Sequence, residues 1–304
     1  MENASIFALF PGQGAQMVGM GKSFFENSSH AKERFQEADD ALSMKLSTVC
    51  FEGPIEQLTK TEITQPALLT VSVIAYEAWR QKNPDIQIKV AAGHSLGEYS
   101  ALVASGAISF RDALLLVHNR GKFMQGAVKE GEGSMIAVLG KELSEIKAAI
   151  TDCAGTTVQM ANINAPGQVV LAGTAGDIEI FCEKNPAWKI KKLQVSAPFH
   201  CSLMKPAEEQ LAPLLAEVEL HTPQFPIVQN VSAALTEDPK IIRENLVKQV
   251  CGSVRWVECV ESAIQLCGVT NSVEFGSGKV LTGLMRRINK TVQTMNICEY
   301  EDIV

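Results

Sequence analysis

One serine is flanked so as to dictate the fold around it. Gly93-His94-Ser95-Leu96-Gly97 is the single G-x-S-x-G of the chain, entered from an apolar run (Ile88, Val90, Ala91, Ala92) and left by a helix-like run from Tyr99 to Val103. Strand, sharp turn and helix in that order make a nucleophile elbow, in which glycines let backbone pack tightly around a strained serine whose hydroxyl projects from the turn. Ser95 is therefore the candidate nucleophile.

The 304 residues, 46% hydrophobic and 20% charged, suit an enzyme with one large core, or a large domain carrying an insertion. No apolar run reaches the length of a membrane span, and Met1-Glu2-Asn3 lacks the positive region of a signal peptide, so a cytoplasmic protein without membrane partners is expected. Eight cysteines without a C-x-x-C pair point to reduced thiols and no metal. A net charge of −7 disfavours nucleic acid as a partner, because phosphate binding needs a basic field.

Residues 5 to 10 read as a buried strand ending at Pro11, with a turn at Gly12-Gln13-Gly14. Helices are expected at 28 to 42, Pro66 to Trp79 and Phe110 to Gln125, the last carrying Arg120. From Ser134 to Val195 the order becomes strand (135–139), helix (142–150), two strands (158–163, 169–172), helix (177–182) and strand (190–195). That βαββαβ order is the ferredoxin-like unit, with Asn164-Ala165-Pro166-Gly167 turning between its two middle strands. The fold class is α/β: a large domain of residues 1–127 and 196–304, with a parallel-rich sheet whose late strands include 227–231 and 272–275, and an inserted small subdomain of residues 128–195.

A serine hydroxyl needs a base, and histidine is the usual one near neutral pH. His94 adjoins Ser95, but neighbours on an elbow point in different directions, which assigns it to packing; His30, His118 and His221 sit in polar surroundings that suit solvated or capping roles. His200 lies where a strand ends in the proline-stiffened turn Ala197-Pro198-Phe199, and stands either as the base or as a loop histidine. Glu98 follows the elbow closely, but its place in the first helical turn is already favourable for a carboxylate. Arg120, followed by Gly121, could cap a helix C-terminus.

These residues carry a family resemblance. Phe10-Pro11-Gly12-Gln13-Gly14-Ala15-Gln16, Thr64-Gln65-Pro66-Ala67, Gly93-His94-Ser95-Leu96-Gly97-Glu98-Tyr99, Arg120-Gly121 with Met124-Gln125, Pro198-Phe199-His200 and Gly278-Lys279-Val280-Leu281 resemble, in order and spacing, the malonyl-CoA:acyl carrier protein transacylases, from residue 6 to about 288. The resemblance implies a hydrolase-like large domain, malonyl-CoA and acyl carrier protein as partners, no cofactor beyond the coenzyme A of the substrate, and supply of extender units for fatty acid synthesis. It also implies a Ser95–His200 dyad without a catalytic acid, the imidazole oriented by the main-chain carbonyl of Gln249. Backbone N–H groups of Gln13 and Leu96 are implied as the oxyanion hole, Gln65 as a site wall, and Phe199 as a limit on an α-methyl branch.

Arg120 is implied to hold the malonyl carboxylate, for which a guanidinium offers two parallel charge-assisted hydrogen bonds. Removing one partner of a buried ion pair costs about 3–5 kcal/mol, or roughly two to four powers of ten. Where the family usually has proline this chain has Ser277, a turn at the site rim. Cys201 beside His200 reads as a small filler, with the alternative that an imidazolium there lowers its pKa and makes it oxidisable. Lys189, Lys191 and Lys192, with Arg286, Arg287 and Lys290, are candidates to receive an acidic carrier protein, or are ordinary surface charge. Two other readings stand beside the transferase: a serine thioesterase or hydrolase, and a malonyl loader for a polyketide pathway.

Overall fold

The first apolar run of the chain and the run leading into Ser95 lie side by side in one sheet. Among the described residues, which are 5–195 and 197–303 of a computed structural model, ten strands make two sheets. They are β1 (Ser5–Phe10), β2 (Gln87–Gly93), β3 (Gly133–Leu139), β4 (Gln159–Ala165), β5 (Gln168–Thr174), β6 (Lys189–Lys192), β7 (Ile227–Val228), β8 (Leu235–Thr236), β9 (Asn271–Phe275) and β10 (Gln293–Ile297). Met1 to Asn3, used in the signal-peptide reading, and Ser196, the expected domain boundary, lie outside the described residues.

The larger sheet runs β10-β9-β1-β2-β7-β8 and is parallel except for β8. Its central strands are apolar because both faces are covered: Phe7 and Leu9 face one cluster, Ala8 and Phe10 the other. Phe10 pairs with Gly93, so β1 and β2 end at the same level, and the loops that leave them meet there. The strand expected over 227–231 is only two residues long. The chain turns back at once, with Ala233 N–H donating to Gln229 O at 2.8 Å and Ala233 at φ 53°. The edge strand β10 escapes a sequence reading because its Gln-Thr-Met-Asn-Ile carries a single buried residue, Ile297.

The buried helix Thr61–Lys82 starts a turn and a half before the expected Pro66, which sits inside it. Proline lacks an N–H and frees the carbonyl four residues back. That carbonyl, Glu62 O, lies 2.9 Å from His118 Nδ1, on the neighbouring helix Phe110–Gly126. His118 thus replaces the missing backbone donor, and its proton belongs on Nδ1.

The smaller sheet runs β4-β5-β3-β6, wholly antiparallel, with helices Leu143–Asp152 and Ala175–Lys184 on one face, as the βαββαβ order requires. Side chains alternate between faces of a strand. Ile136 and Val138 therefore meet this unit's own helices, while Met135 and Ala137 join the core of the large sheet's layer. Strand β5 divides likewise, Leu171 inward to its helices and Val170 and Ala172 across the junction. The junction is stitched by backbone as well: Val254 N–H donates to Ala161 O at 2.8 Å, and Ile163 N–H to Val254 O at 2.9 Å. No helix among the described residues is long and apolar enough to cross a membrane.

Candidate active site

The elbow's glycines are fixed by backbone proximity. A Cβ on Gly93 would stand 1.8 Å from Gly97 C, one on Gly97 2.1 Å from Phe10 O, and one on Gly12 2.4 Å from His94 O. No real Cβ tolerates such distances, so the β1 and β2 loops pack backbone to backbone. Ser95 itself takes φ 52°, a left-handed conformation costly for a residue with a Cβ.

Ser95 Oγ lies 2.7 Å from His200 Nε2. On the other side of the ring, His200 Nδ1 lies 2.9 Å from Gln249 O and 3.2 Å from Gly252 O. Two carbonyl acceptors place the proton on Nδ1, which leaves the Nε2 lone pair to accept the serine O–H. Gln249 can offer its carbonyl because it ends the helix Pro239–Gln249, where the last carbonyls have no intrahelical donor. Burial, and then the charge of Arg120, push the His200 imidazole down to about 3, so it is neutral at neutral pH.

Arg120 is 1% exposed, yet its acceptors are all neutral. Nη1 donates to Gln65 Oε1 at 2.9 Å, and Nη2 donates to Gln249 Oε1 at 2.9 Å and Ser95 Oγ at 3.1 Å. Nε is buried without a partner, and Tyr99 lies under the guanidinium at 5.8 Å. Burial lowers its pKa from the ordinary arginine value. The capping reading of Arg120 is excluded, because its helix runs on to Gly126. Gly121 instead admits the neighbouring helix: a Cβ there would stand 2.6 Å from Glu62 Cα.

Gln13, Leu96, Gln65 and Phe199 line, with Ser95, His200 and Arg120, one cavity of about 180 Å³ whose far wall is the small sheet's Met135 and Val170. Among the described residues, neither Gln13 N–H nor Leu96 N–H has a hydrogen-bond partner. Ser277 is buried and donates its hydroxyl to Ala15 O at 2.7 Å, tying the rim turn to the loop that carries Gln13. His94 Nε2 lies 2.8 Å from Asn164 Oδ1, and its ring is 5.5 Å from Trp256, a structural position across the junction.

Two further groups beside the dyad, an acid and a thiol, are held protonated by burial. Glu98 is buried, pushed up to about 8 by loss of water, and accepts the backbone N–H of Asn230. Since His200 Nδ1 is taken by backbone carbonyls, no carboxylate completes a triad among the described residues. The Cys201 thiol is buried, donates to Pro198 O at 3.0 Å and is pushed up to about 11 by burial, as suits a small filler and not the alternative of an oxidisable, low-pKa thiol.

Sequence reasoning missed Asn230, whose Oδ1 accepts from Ser95 N–H at 2.7 Å and whose Nδ2 donates to Gly93 O at 2.8 Å. One signal was available: polar Gln229-Asn230 directly follows a buried parallel strand, at the carboxyl end where such sheets carry their sites. The basic residues sit at two places. Lys189, Lys191 and Lys192 are exposed on β6, one edge of the small sheet, whereas Arg287 donates to Pro166 O at 2.9 Å, in the turn between β4 and β5 at the other side.

Residues 7–299 match the family model described as acyl transferase domain. The chain is 44% identical to the malonyl CoA-acyl carrier protein transacylase of Bacillus subtilis (strain 168), covering 99% of this chain and 95% of the relative. Among solved structures, an acyl-carrier-protein-S-malonyltransferase from Bartonella henselae is similar with a TM-score of 0.93 and 42% identity, over 99% of this chain and 97% of that one. A holo complex of a type II PKS acyl-carrier protein with its malonyl-transacylase is similar with a TM-score of 0.94 and 40% identity, over 99% and 98%.

Proposed function

The chain belongs to the malonyl CoA-acyl carrier protein transacylase family, and from that membership we propose that it moves malonyl from coenzyme A to the phosphopantetheine thiol of acyl carrier protein, supplying extender units for fatty acid synthesis. The observation that carries the mechanism is the 2.7 Å contact of Ser95 Oγ with a neutral His200 Nε2, beside a buried arginine that has no carboxylate partner among the described residues.

His200 takes the proton of Ser95 as the oxygen attacks the thioester carbonyl. The oxyanion forms against the N–H groups of Gln13 and Leu96, which have no other partner among the described residues to give up. Collapse expels the coenzyme A thiolate, His200 returns the proton to it, and malonyl remains esterified to Ser95. The carrier thiol then gives its proton to His200 and attacks the ester, and the proton ends on Ser95 Oγ. Arg120 holds the terminal carboxylate throughout, with Gln65 and Gln249 fixing the fork. Phe199, beside the base in the cavity wall, narrows the room for a branch on the acyl α-carbon. The eight free cysteines suit a reducing compartment, and the cytoplasm is the proposed location.

The polyketide reading has one observation in its favour, the likeness to a malonyl-transacylase held with a type II PKS carrier. It shares the chemistry and differs in the acceptor. A hydrolase fits less well, because a carboxylate-receptive arginine beside the serine serves selection of the acyl group and no carboxylate completes a triad with His200 among the described residues. Intact-protein mass after brief mixing with malonyl-CoA tests the proposal: one malonyl adduct is expected, absent in Ser95→Ala. Coenzyme A release without an adduct favours a hydrolase. For the carrier, charge reversal at Arg286 and Arg287 is expected to raise its KM and spare malonyl loading; an unchanged KM dismisses that pair as the docking site.

A further inference from the structure

Ser95 holds a conformation that its own side chain disfavours, with φ 52°, and something outside the loop must hold it there. The flanking glycines permit the turn without enforcing it. Enforcement requires bonds to the backbone of the turn itself, made by a group anchored elsewhere. Asn230 makes two. Its carboxamide accepts Ser95 N–H at 2.7 Å and donates to Gly93 O at 2.8 Å, so one planar amide spans the entrance and the apex of the elbow.

The amide is itself immobilised. Asn230 is fully buried, and its backbone N–H is held by the Glu98 carboxyl, which rises from the helix just after the elbow. Its carbonyl accepts Arg255 N–H at 3.2 Å, from the segment stitched to β4. Elbow, helix start and the end of β7 thus form a closed loop of hydrogen bonds, with Asn230 at its centre. A bond from another side-chain amide, Gln249 Nε2 to Ser95 O at 2.9 Å, fixes the other peptide plane of Ser95. The serine is gripped on both its N–H and its C=O.

We propose that Asn230, seated by Glu98, is a positioning residue for the reaction: it holds the Ser95 backbone in the left-handed conformation that aims Oγ at His200 Nε2. This rests on Ser95 being the nucleophile. Neither Asn230 nor Glu98 touches the substrate; both act through the direction of one C–O bond. Misplacement of a reacting atom by about 1 Å costs on the order of a hundredfold in rate.

The test is the rate of Ser95 acylation by malonyl-CoA, by quenched-flow mass spectrometry, for wild type, Asn230→Ala and Asn230→Asp, with thermal midpoints measured in parallel. For Asn230→Ala the expected result is a fall of about a hundredfold in the acylation rate at saturating malonyl-CoA, with the KM little changed because Arg120 is untouched. Asn230→Asp supplies a readout that a merely structural role would not move. A protonated Asp carboxyl can donate to Gly93 O and accept from Ser95 N–H, reproducing both bonds, whereas the carboxylate has no donor.

Burial raises the pKa of such an Asp; Glu98 and Cys259, which face the same position, are themselves held protonated by burial, and the charges of Arg120 and Arg255, which act on those two groups, oppose the rise. Asn230→Asp is therefore expected to acylate fastest at low pH and to slow as pH rises through that pKa, a limb absent from wild type. His200, held near 3, stays a competent base through that range. Near-wild-type acylation by Asn230→Ala, or an Asn230→Asp profile superimposable on wild type, overturns the positioning role. A wild-type adduct on some residue other than Ser95 overturns the underlying reading instead, so the two failures are distinguishable.

Discussion

Two arginines at opposite ends of one pair of packed helices, Arg34 reaching in from the helix Ser29–Leu42 and Arg120 borne by the pair itself, meet opposite fates. At one end, Glu77 of the helix Thr61–Lys82 takes Arg34 in a fork, Nε to Oε2 at 3.0 Å and Nη2 to Oε1 at 2.6 Å, while Glu37 takes Nη1 at 2.8 Å. Phe110, which opens the helix Phe110–Gly126, lies 5.1 Å from that guanidinium. At the other end the same two helices supply Gln65 and Arg120. Arg34 keeps a quarter of its side-chain surface in water and has its charge reinforced by carboxylates; Arg120 is stripped of water and given amides and a hydroxyl. A buried cation without an anion is costly to a fold. The difference teaches that Arg34 finishes a structure, whereas Arg120 carries a charge that its own surroundings leave unneutralised, as the proposed role of holding a substrate carboxylate requires.

The widest effect follows from deleting the unpaired cation. Arg120→Ala is expected to lower kcat/KM for malonyl-CoA by about two to four powers of ten, with acetyl-CoA nearly unaffected, and equal losses for both thioesters would break the comparison. A smaller effect concerns pH, because kcat/KM reports groups of the free enzyme. A base with an ordinary histidine pKa of about 6.5 would be about thirtyfold depleted at pH 5. Burial and then Arg120 hold His200 near 3, so wild type should show no such loss, and the acid limb measured with acetyl-CoA should move upward in Arg120→Ala. A wild-type limb near 6.5 would contradict the electrostatic account of the site. The smallest effect belongs to the paired arginine. Glu77→Gln should cost about 1 kcal/mol of stability, read from the denaturation midpoint, because partly exposed ion pairs contribute little, and it should leave the preference for malonyl unchanged.

The comparison also marks what sequence can and cannot disclose. The α/β class and the ferredoxin-like unit were legible because strands such as Met135–Leu139 and Val169–Ala172 are continuous apolar runs separated by helical spacing. Pro66 misled the helix start, since the donor that compensates it, His118, comes from another helix. Arg120 was ambiguous for a local reason: a glycine after an arginine signals a helix end equally well, and the continuation of the helix to Gly126, with Gly121 packed on Glu62, resolves it. Gln249 contributes a main-chain carbonyl, which carries no side-chain signature. Asn230 acts from 135 residues beyond the serine it holds, a distance no local pattern spans.

The most direct measurement mixes wild-type protein briefly with equal malonyl-CoA and acetyl-CoA and weighs the intact protein, with Arg120→Ala and Glu77→Gln alongside. The account predicts almost wholly malonyl adduct in wild type and Glu77→Gln, and a mixed or acetyl-rich adduct in Arg120→Ala. Retention of the malonyl preference without Arg120 would show that the unpaired cation does not select the acyl group.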